Sequence, residues 1–333
     1  MYYDIYGNEL SSMYDIHGNK IWESGVITKL RKDGNNLVDA YGNIFQLRGI
    51  GTHAILQYQN MHTKKMFEYL KSRGINCIRV SVYISDTTFA HTTDDDQRGA
   101  YTGYINSKSE HDEEIQKIVA ICVEVGLYVI LDWHTMYYDV VNGVIAGQDE
   151  AIAFFEKYAQ MYADVPNVLY ELQNEPYNAI QASLGAYVKA ERDAITQYVT
   201  NPVMIVGSRG GYLGNTVSYV EAYGVTDVFY SEHYYSDNLT ASLMSKKTMP
   251  FICTEWSNAS EASGATGGNE ESLASYMQEA NRNKISHCAW KLTDQNHVFS
   301  ILKNRGSIND EYYRNGFDDD DLTEWGKLFF KYL

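Results

Sequence analysis

Cysteine is scarce in this chain of 333 residues, which contains only four. Cys77, Cys122, Cys253 and Cys288 all lie within apolar segments, and none belongs to a C-x-x-C pair or to another spacing typical of metal ligands. A free cysteine in such surroundings behaves as a small apolar side chain. We therefore expect four buried thiols, and neither a disulfide framework nor a structural metal site.

Long hydrophobic runs and positive charge are also lacking. No stretch approaches the ~18 consecutive apolar residues that would indicate a membrane span, and the segment Met1-Tyr2-Tyr3-Asp4 has no feature of a signal peptide. The 27 basic residues are outnumbered by 43 acidic ones, which gives a formal net charge of −16. Phosphate backbones and anionic lipids would repel such a chain. We expect a neutral partner, with no nucleic acid and no membrane.

Aromatic residues, by contrast, are plentiful. They make up 14% of the chain and include 29 tyrosines. Tyrosine and tryptophan combine a flat apolar face with a polar group, which suits a groove that binds sugars. A tyrosine-rich core and surface would also account for the composition, and composition alone slightly favours that simpler interpretation.

The first 44 residues repeat a short turn motif, D-x-x-G-N. Its copies begin at Asp4, Asp15 and Asp39. Gly and Asn tolerate positive φ and favour tight turns, so we expect short hairpins. We divide the chain into a hairpin-like N-terminal extension over residues 1–35 and one large domain over residues 36–333. The extension is either an appended adaptor or a cap on the floor of that domain.

From about residue 45, short apolar runs alternate with amphipathic helical segments. The runs cover residues 45–51, 76–83, 127–133, 168–173, 203–207, 228–233, 250–255 and 286–292. Helical spacing is clearest at Ile115, Ile118, Val119 and Cys122. Eight strands interleaved with helices predict an α/β fold of parallel units with right-handed crossovers. Periodicity favours a (β/α)8 barrel without excluding a doubly wound sheet.

Polar side chains fall where the predicted strands end, and in parallel sheets these ends form the active-site face. Glu175 ends the fourth run and Glu255 the seventh. Breaking a glycosidic bond requires a proton for the leaving oxygen and an anion opposite the developing oxocarbenium ion. Strands four and seven face each other across an eight-stranded barrel, so these glutamates could act on one bond from opposite sides. Alternatively, each glutamate caps the helix that follows it.

The ordered segments resemble glycoside hydrolase family 5, the large cellulase family, from about residue 36 onward. The matching residues are Arg48-Gly49-Ile50-Gly51-Thr52-His53, Asn76-Cys77-Ile78-Arg79-Val80, Ile130-Leu131-Asp132-Trp133-His134, Leu172-Gln173-Asn174-Glu175-Pro176, His233-Tyr234-Tyr235, Thr254-Glu255-Trp256 and Trp290-Lys291-Leu292. The N-E-P tripeptide alone is shared by related barrel families. The full ordered set is far more specific, and it implies the (β/α)8 barrel.

The resemblance implies a retaining endo-β-1,4-glucanase that needs no cofactor and no metal. Glu175 would be the acid/base and Glu255 the nucleophile. Arg79 and Tyr235 would donate hydrogen bonds to Glu255, and Asn174 would bind the substrate 2-hydroxyl. An acid needs a pKa near the working pH, so Glu175 should be desolvated or lie near the other carboxylate.

The other implied substrate-binding residues lie around the same strand ends. They are His53, Tyr83, His134, His233 and Trp290. Trp290 would supply the flat face under the cleaved sugar, and Tyr83 would either extend the groove or serve packing. The resemblance also implies a β-glucan substrate, a monomer and an extracellular location.

Two departures from the family pattern leave the substrate open. Gln295 stands where many family endoglucanases carry a lysine, and residues 87–103 form a long acidic loop containing Asp94, Asp95 and Asp96. That acidic run is either a solvated loop or a loose ion site. The alternatives to a cellulase are another β-glycanase, acting on mannan, xyloglucan or mixed-linkage glucan, and a non-catalytic polysaccharide-binding barrel. A metal-dependent hydrolase is disfavoured because the histidines lie on different strands.

Overall fold

A closed barrel of parallel strands forms the centre of the protein. The computed structural model describes residues 27–86, 101–209, 213–245, 248–259, 268–295, 297–305 and 312–333, and the backbone of two short strands before them. The barrel strands are β1 (Arg48–Gly51), β2 (Cys77–Tyr83), β3 (Tyr128–His134), β4 (Val168–Gln173), β5 (Met204–Val206), β6 in two pieces (Phe229–Tyr230 and His233–Tyr235), β7 (Ile252–Ser257) and β8 (Ser286–Ala289). All eight predicted runs therefore contain strands.

The strands pair in chain order, and the split in β6 closes the ring. Its first piece pairs with β5 and its second with β7, while β8 pairs with β1. Every pairing in this sheet is parallel. The predicted (β/α)8 barrel is confirmed, and the doubly wound alternative, which would leave two sheet edges, is excluded.

Helices follow the strands and cover the outside of the barrel. In the described residues they are α1 (Lys64–Ser72), α2 (Lys108–Val125), α3 (Gln148–Met161), α4 (Gln181–Thr196), α5 (Thr216–Glu221), α6 (Glu270–Asn283) and α7 (Glu324–Tyr332). The 3-10 turn Ala241–Met244 lies between β6 and β7. In α2, the residues predicted from helical spacing, Ile115, Ile118, Val119 and Cys122, are all buried. Side chains three and four positions apart share one helix face, so the barrel wall receives an apolar stripe.

Short hairpins precede the barrel. Ser12–Tyr14 pairs with Lys20–Glu23, and Arg31–Asp33 pairs with Asn36–Val38 around Gly34, which has a φ of 57°. Glycine adopts positive φ more readily than any other residue, so Gly34 allows the tight turn of the second hairpin. The copies of the turn motif at Asp4 and Asp15 lie largely outside the described residues, as do Asp94, Asp95 and Asp96 of the acidic loop. The division at residue 35 stays a prediction.

Two further expectations concern the core and the membrane. All four cysteines are buried and free, as predicted. Gly49 lies between Cys77 and Cys288 on neighbouring strands, and an added Cβ there would stand 2.5 Å from the Cys288 sulfur. A larger residue at this position would therefore push the barrel interior apart. Within the described ranges, no helix is both long and apolar enough to span a membrane.

Candidate active site

The carboxyl ends of β2, β3, β4, β6 and β7 bring most of the predicted site residues together. Glu175 follows β4, and Glu255 lies on β7 directly opposite His233 in the parallel pairing with β6. The interruption at Ser231 and Glu232 lets the second piece of β6 pair with β7 while the first pairs with β5. His233 is thereby positioned between the two glutamates, which come from strands on opposite sides of the barrel.

Arg79, fully buried on β2, is the electrostatic centre of the site. Its Nη1 donates to Glu255 Oε2 at 2.7 Å, its Nε donates to Glu171 Oε2 at 2.6 Å, and its Nη2 lies 3.0 Å from Asp132 Oδ2. One guanidinium thus serves three buried carboxyl groups on three other strands. Burial, together with the negative charge of Glu255, raises the pKa of Asp132 to about 7 despite the neighbouring arginine.

Glu255 is fixed by two donors. Arg79 holds Oε2, and the hydroxyl of Tyr235 donates to Oε1. Charge-assisted hydrogen bonds of this kind stabilise the ionised carboxylate and fix its orientation. Burial and the charge of Glu255 raise the pKa of Tyr235 well above its usual value, so this phenol remains a donor. The arrangement supplies an oriented anion whose attack direction is set by both partners.

Glu175 contacts His233, whose ring is buried. Nδ1 of His233 donates to Glu175 Oε1 at 2.6 Å and lies 3.8 Å from Glu255 Oε1. Nε2 lies 3.2 Å from the hydroxyl of Thr254, which itself donates to Glu171 at 2.6 Å and so accepts from the ring. Burial opposes the charged ring, but the two glutamates outweigh it and raise the pKa of His233. Both ring nitrogens act as donors, as a protonated imidazole requires.

Glu175 lies where an acid is expected, but the direction of its pKa shift is opposite to the one that an acid needs. Its side chain is partly buried, with 26% of its surface exposed, and it lies near Glu255, as predicted. Burial alone would raise its pKa, but the hydrogen bond and charge of His233 lower it below the ordinary value. In the free protein the proton therefore belongs to the histidine. The sequence could not give this direction, because the distance between Glu175 and His233 depends on how β6 is split.

The two carboxylates are close enough to act on one bond. Single oxygens of Glu175 and Glu255 and one ring nitrogen of His233 all lie within 4.8 Å of one another. These are the side chains that could ligate a metal in the described part of the chain. His233 Nδ1 and Glu175 Oε1 already bond each other at 2.6 Å, however, and both oxygens of Glu255 accept hydrogen bonds from Tyr235 and Arg79. The set is accounted for as an ion-paired acid/base cluster.

His134 and Asn174 line the site beside this cluster. Nδ1 of His134 donates to Asp132 Oδ2 at 2.6 Å, and burial lowers the pKa of the ring to about 3. The ring is therefore neutral and keeps Nε2 as an acceptor, 3.5 Å from Asn174 Nδ2. Asn174 accepts from Arg79 Nη2 at 2.7 Å through its side-chain oxygen. The amide orientation, with its NH₂ toward His134, follows from these partners.

An aromatic wall completes the site and includes His53, Tyr83 and Trp290. The Tyr83 hydroxyl lies 2.9 Å from His53 Nδ1, and the Trp290 ring stacks parallel to that of His134 with centroids 5.7 Å apart. Trp290 and Tyr83 are largely covered, with 6% and 3% of their surface exposed. Gln295, at the position of the family lysine, is buried and donates to the hydroxyl of Tyr101 at 3.1 Å. Tyr101 in turn lies 2.9 Å from His53 Nε2.

Four site residues were not predicted as such from the sequence. They are Tyr101, Asp132, Glu171 and Thr254. Glu171 had a signal: an acidic residue in the middle of the apolar run Val168–Gln173 must be paired if it is buried. Asp132 and Thr254 belong to the segments that carry the family resemblance, but the sequence assigns them no role. Tyr101 carries no local signal, because it contributes only through partners distant in the chain.

A (β/α)8 barrel that presents two glutamates within 4.8 Å, from its fourth and seventh strands, defines a glycoside hydrolase. Comparison with known families identifies the glycoside hydrolase family. Residues 38–296 match the cellulase family, glycosyl hydrolase family 5, and the chain belongs to this family.

Individual relatives agree with this assignment. An endoglucanase of Clostridium saccharobutylicum is 27% identical over 312 residues, which cover 91% of this chain and 64% of that protein. Endoglucanase E-5 of Thermobifida fusca is 28% identical and covers 80% of this chain and 56% of that protein. The chain therefore spans less than two thirds of the length of these curated relatives.

Solved structures show the same fold. The catalytic domain of Thermobifida fusca endoglucanase Cel5A superposes with a TM-score of 0.75 at 22% identity, covering 92% of this chain and 97% of that domain. The β-glucanase SdGluc5_26A of Saccharophagus degradans superposes with a TM-score of 0.67 at 18% identity, covering 98% of this chain and 97% of that one.

Proposed function

We propose that this protein is a retaining endo-β-1,4-glucanase that hydrolyses internal bonds of a β-glucan such as cellulose. The observation that carries the proposal is the approach of Glu175 and Glu255 to within 4.8 Å. Retaining glycosidases hold their carboxyl groups ~5–5.5 Å apart, whereas inverting enzymes need ~6.5–9.5 Å to admit a water molecule. The shorter distance supports direct attack by a carboxylate.

In the first step, Glu255 is the nucleophile. Its carboxylate attacks the anomeric carbon, the bond to the leaving oxygen breaks, and Glu175 protonates that oxygen. Arg79 and Tyr235, which bond both oxygens of Glu255, support this role because they fix the orientation of the carboxylate. In the second step, Glu175 takes a proton from water, which displaces Glu255 and restores the free carboxylate.

His233 supplies the proton that Glu175 must give. In the free protein the proton lies on the imidazole, 2.6 Å from the carboxylate. It needs to move along a single hydrogen bond to reach Glu175 when a leaving oxygen approaches. As Glu255 bonds to the anomeric carbon it loses its charge, and with it goes one of the two negative charges that hold the proton on the imidazole. Asn174, His134 and Trp290 would contact the sugar at the cleavage point, with Asn174 on the 2-hydroxyl.

Several observations support a β-glucan as substrate. The relatives named above are endoglucanases, and the Thermobifida fusca catalytic domain has been solved in complex with cellotetraose. The net charge of −16 also favours a neutral polymer. The proposal includes a monomeric catalytic barrel over residues 36–333 with a hairpin extension over residues 1–35, acting outside the cell. No nucleic acid, membrane, cofactor or metal takes part.

Reducing-end release from a panel of polymers tests the function. The panel is carboxymethyl-cellulose, mixed-linkage β-glucan, xyloglucan, galactomannan and xylan, with Glu255→Gln as the blank. Cleavage of the glucans by the wild type alone, undiminished by a chelator, is expected. NMR of the first product should show the β-anomer, and a first-formed α-anomer would contradict the retaining mechanism. Release only from mannan or xylan would change the substrate, and no release from any polymer would favour a polysaccharide-binding barrel.

A further inference from the structure

Exposed apolar side chains are concentrated beside the candidate active site. Ten large apolar residues are exposed in the described part of the chain, and five of them belong to the two loops that follow β3 and β4. These five residues, which we call the loop patch, are Tyr137, Val141, Val144, Tyr177 and Ile180. Isolated exposed apolar residues are ordinary, but a cluster at one place marks an interaction surface.

Two tight turns hold the loop patch in shape, one at Asn142-Gly143 in the first loop and one over residues 176–179 in the second, where Ala179 N donates to Pro176 O at 3.1 Å. Val141 pairs with Val144 across a hairpin whose turn residues, Asn142 and Gly143, both have positive φ. The Asn-Gly pair is the strongest short signal for such a turn, and cross-strand partners present their side chains on the same face. The second loop is tied to the first, because Ile180 N donates to Gly143 O at 2.9 Å.

The loop patch continues directly from the site. Tyr177 stands two residues beyond Glu175, and Glu175 N donates to Thr135 O at 2.9 Å, which joins the roots of the two loops. Met136, one residue before Tyr137, accepts a hydrogen bond from Asn174. Two residues span at most ~7 Å, so a polymer bound across Glu175 would reach Tyr177 within one or two sugar units.

The surroundings of the loop patch suit a neutral ligand. In residues 135–148 and 176–188 the one Asp, Glu, Lys or Arg is Asp139, whose side chain is buried, although the chain as a whole carries 70 such residues. An uncharged, apolar surface on a strongly acidic protein favours a ligand without charge. A β-1,4-linked pyranose chain is flat and presents C–H faces that pack on aromatic and aliphatic side chains, while its hydroxyls point sideways to water.

We propose that the loop patch binds a β-1,4-glucan chain on the leaving-group side of the cleft, beyond the bond that is cleaved. This inference rests on the proposed function, because Glu175 protonates the leaving oxygen and the patch adjoins that residue. The preformed turns reduce the ordering cost of binding. The patch would therefore add affinity for polymers while leaving the chemistry at Glu255 untouched.

The test compares a polymer with a small substrate that has no group on the leaving side large enough to reach the patch. Tyr177→Ala and the double variant Val144→Ser/Ile180→Ser are assayed on swollen cellulose and on β-cellobiosyl fluoride, whose leaving group is a single fluoride. The matched control is Val123→Ser/Met161→Ser, which removes two equally exposed apolar residues from α2 and α3. We expect kcat/KM on cellulose to fall about tenfold, or ~1.4 kcal/mol, in both patch variants. Their activity on the cellobiosyl fluoride, and both activities of the control, should not change.

Other outcomes overturn the inference in distinguishable ways. Unchanged kcat/KM on cellulose shows that the patch does not contact the polymer, and equal losses on both substrates show a distorted active site instead. A wild-type dimer that becomes monomeric in the patch variants, measured by sedimentation, assigns the surface to self-association. If the wild type hydrolyses neither substrate, the proposed function fails, and the patch then loses its substrate as well.

Discussion

Glu191 on α4 offers a test of the structure away from the chemistry. Its carboxyl group is fully buried, and its Oε1 accepts from Gln173 Nε2 at 3.0 Å. Among the described residues, neither Glu191 Oε2 nor Gln173 Oε1 has a hydrogen-bond partner. Burial raises the pKa of Glu191 well above its ordinary value. A proton on Oε2 would supply the donor that this pair of acceptors lacks, so we predict a neutral carboxyl group at neutral pH.

The consequence is a specific dependence of stability on pH. In the unfolded chain a glutamate ionises near pH ~4.3, whereas folded Glu191 stays protonated to a higher pH. Its stabilising contribution is complete below the pKa of the unfolded chain, ~4.3. The contribution is lost as the pH rises from there toward the pKa of Glu191 in the folded protein. The loss is ~1.4 kcal/mol per pH unit within this window. Glu191→Gln retains a donor in place of the proton and cannot titrate, so it should lack this slope.

Urea denaturation of the wild type and of Glu191→Gln at pH 5, 6 and 7 measures the difference. The free energy of unfolding of the variant should rise relative to the wild type by ~1.4 kcal/mol per pH unit. Glu191→Leu is the matched control: it removes the titration too, but it leaves the buried Gln173 amide without its partner, at a cost of ~1–3 kcal/mol at every pH. A constant difference between wild type and Glu191→Gln across the range would refute the neutral carboxyl group.

Three further predictions concern the site. Glu175→Ala should lose most activity on natural polymers yet keep it on substrates with activated leaving groups, measured side by side, because only the former need protonation; equal loss would contradict the acid role. Arg79→Met should lower the free energy of unfolding by ~3–5 kcal/mol in urea, since three buried carboxyl groups lose their cation; a change below 1 kcal/mol would contradict that pairing. The raised pKa of His233 means that its proton, and with it activity, is lost as the pH rises through that pKa. The alkaline limb of kcat/KM should therefore move in His233→Gln, and an unmoved limb would place the titrating group elsewhere.

The barrel could be predicted from the sequence because its signals are local and repeated. Each strand is a short apolar run, as in Cys77–Tyr83, in which every residue is buried. Polar residues after such runs predict an active-site face, and Glu175 and Glu255 both lie there. Strand ends differ from the prediction by one to a few residues, because hydrogen bonding to neighbouring strands, and not composition, decides where pairing stops.

The electrostatics of the site could not be predicted in the same way. That Arg79 would contact Glu255 follows from the family resemblance, but its contacts with Asp132 and Glu171 depend on side chains from three strands meeting at one point. The direction of the pKa shift of Glu175 depends on a single 2.6 Å contact with His233. Without that contact, burial would raise the pKa of Glu175. Distances of this kind are a property of the assembled barrel.

Arg79 couples the activity of the enzyme to the folding of its barrel. Its guanidinium reaches from β2 to carboxyl groups on β3, β4 and β7, so it links four of the eight barrel strands while it orients Glu255. A partly opened barrel would separate these charges and release the nucleophile at the same moment. Heat or denaturant should therefore produce no long-lived species that is folded but inactive. The catalytic activity of a sample is then proportional to the fraction of molecules that remain folded.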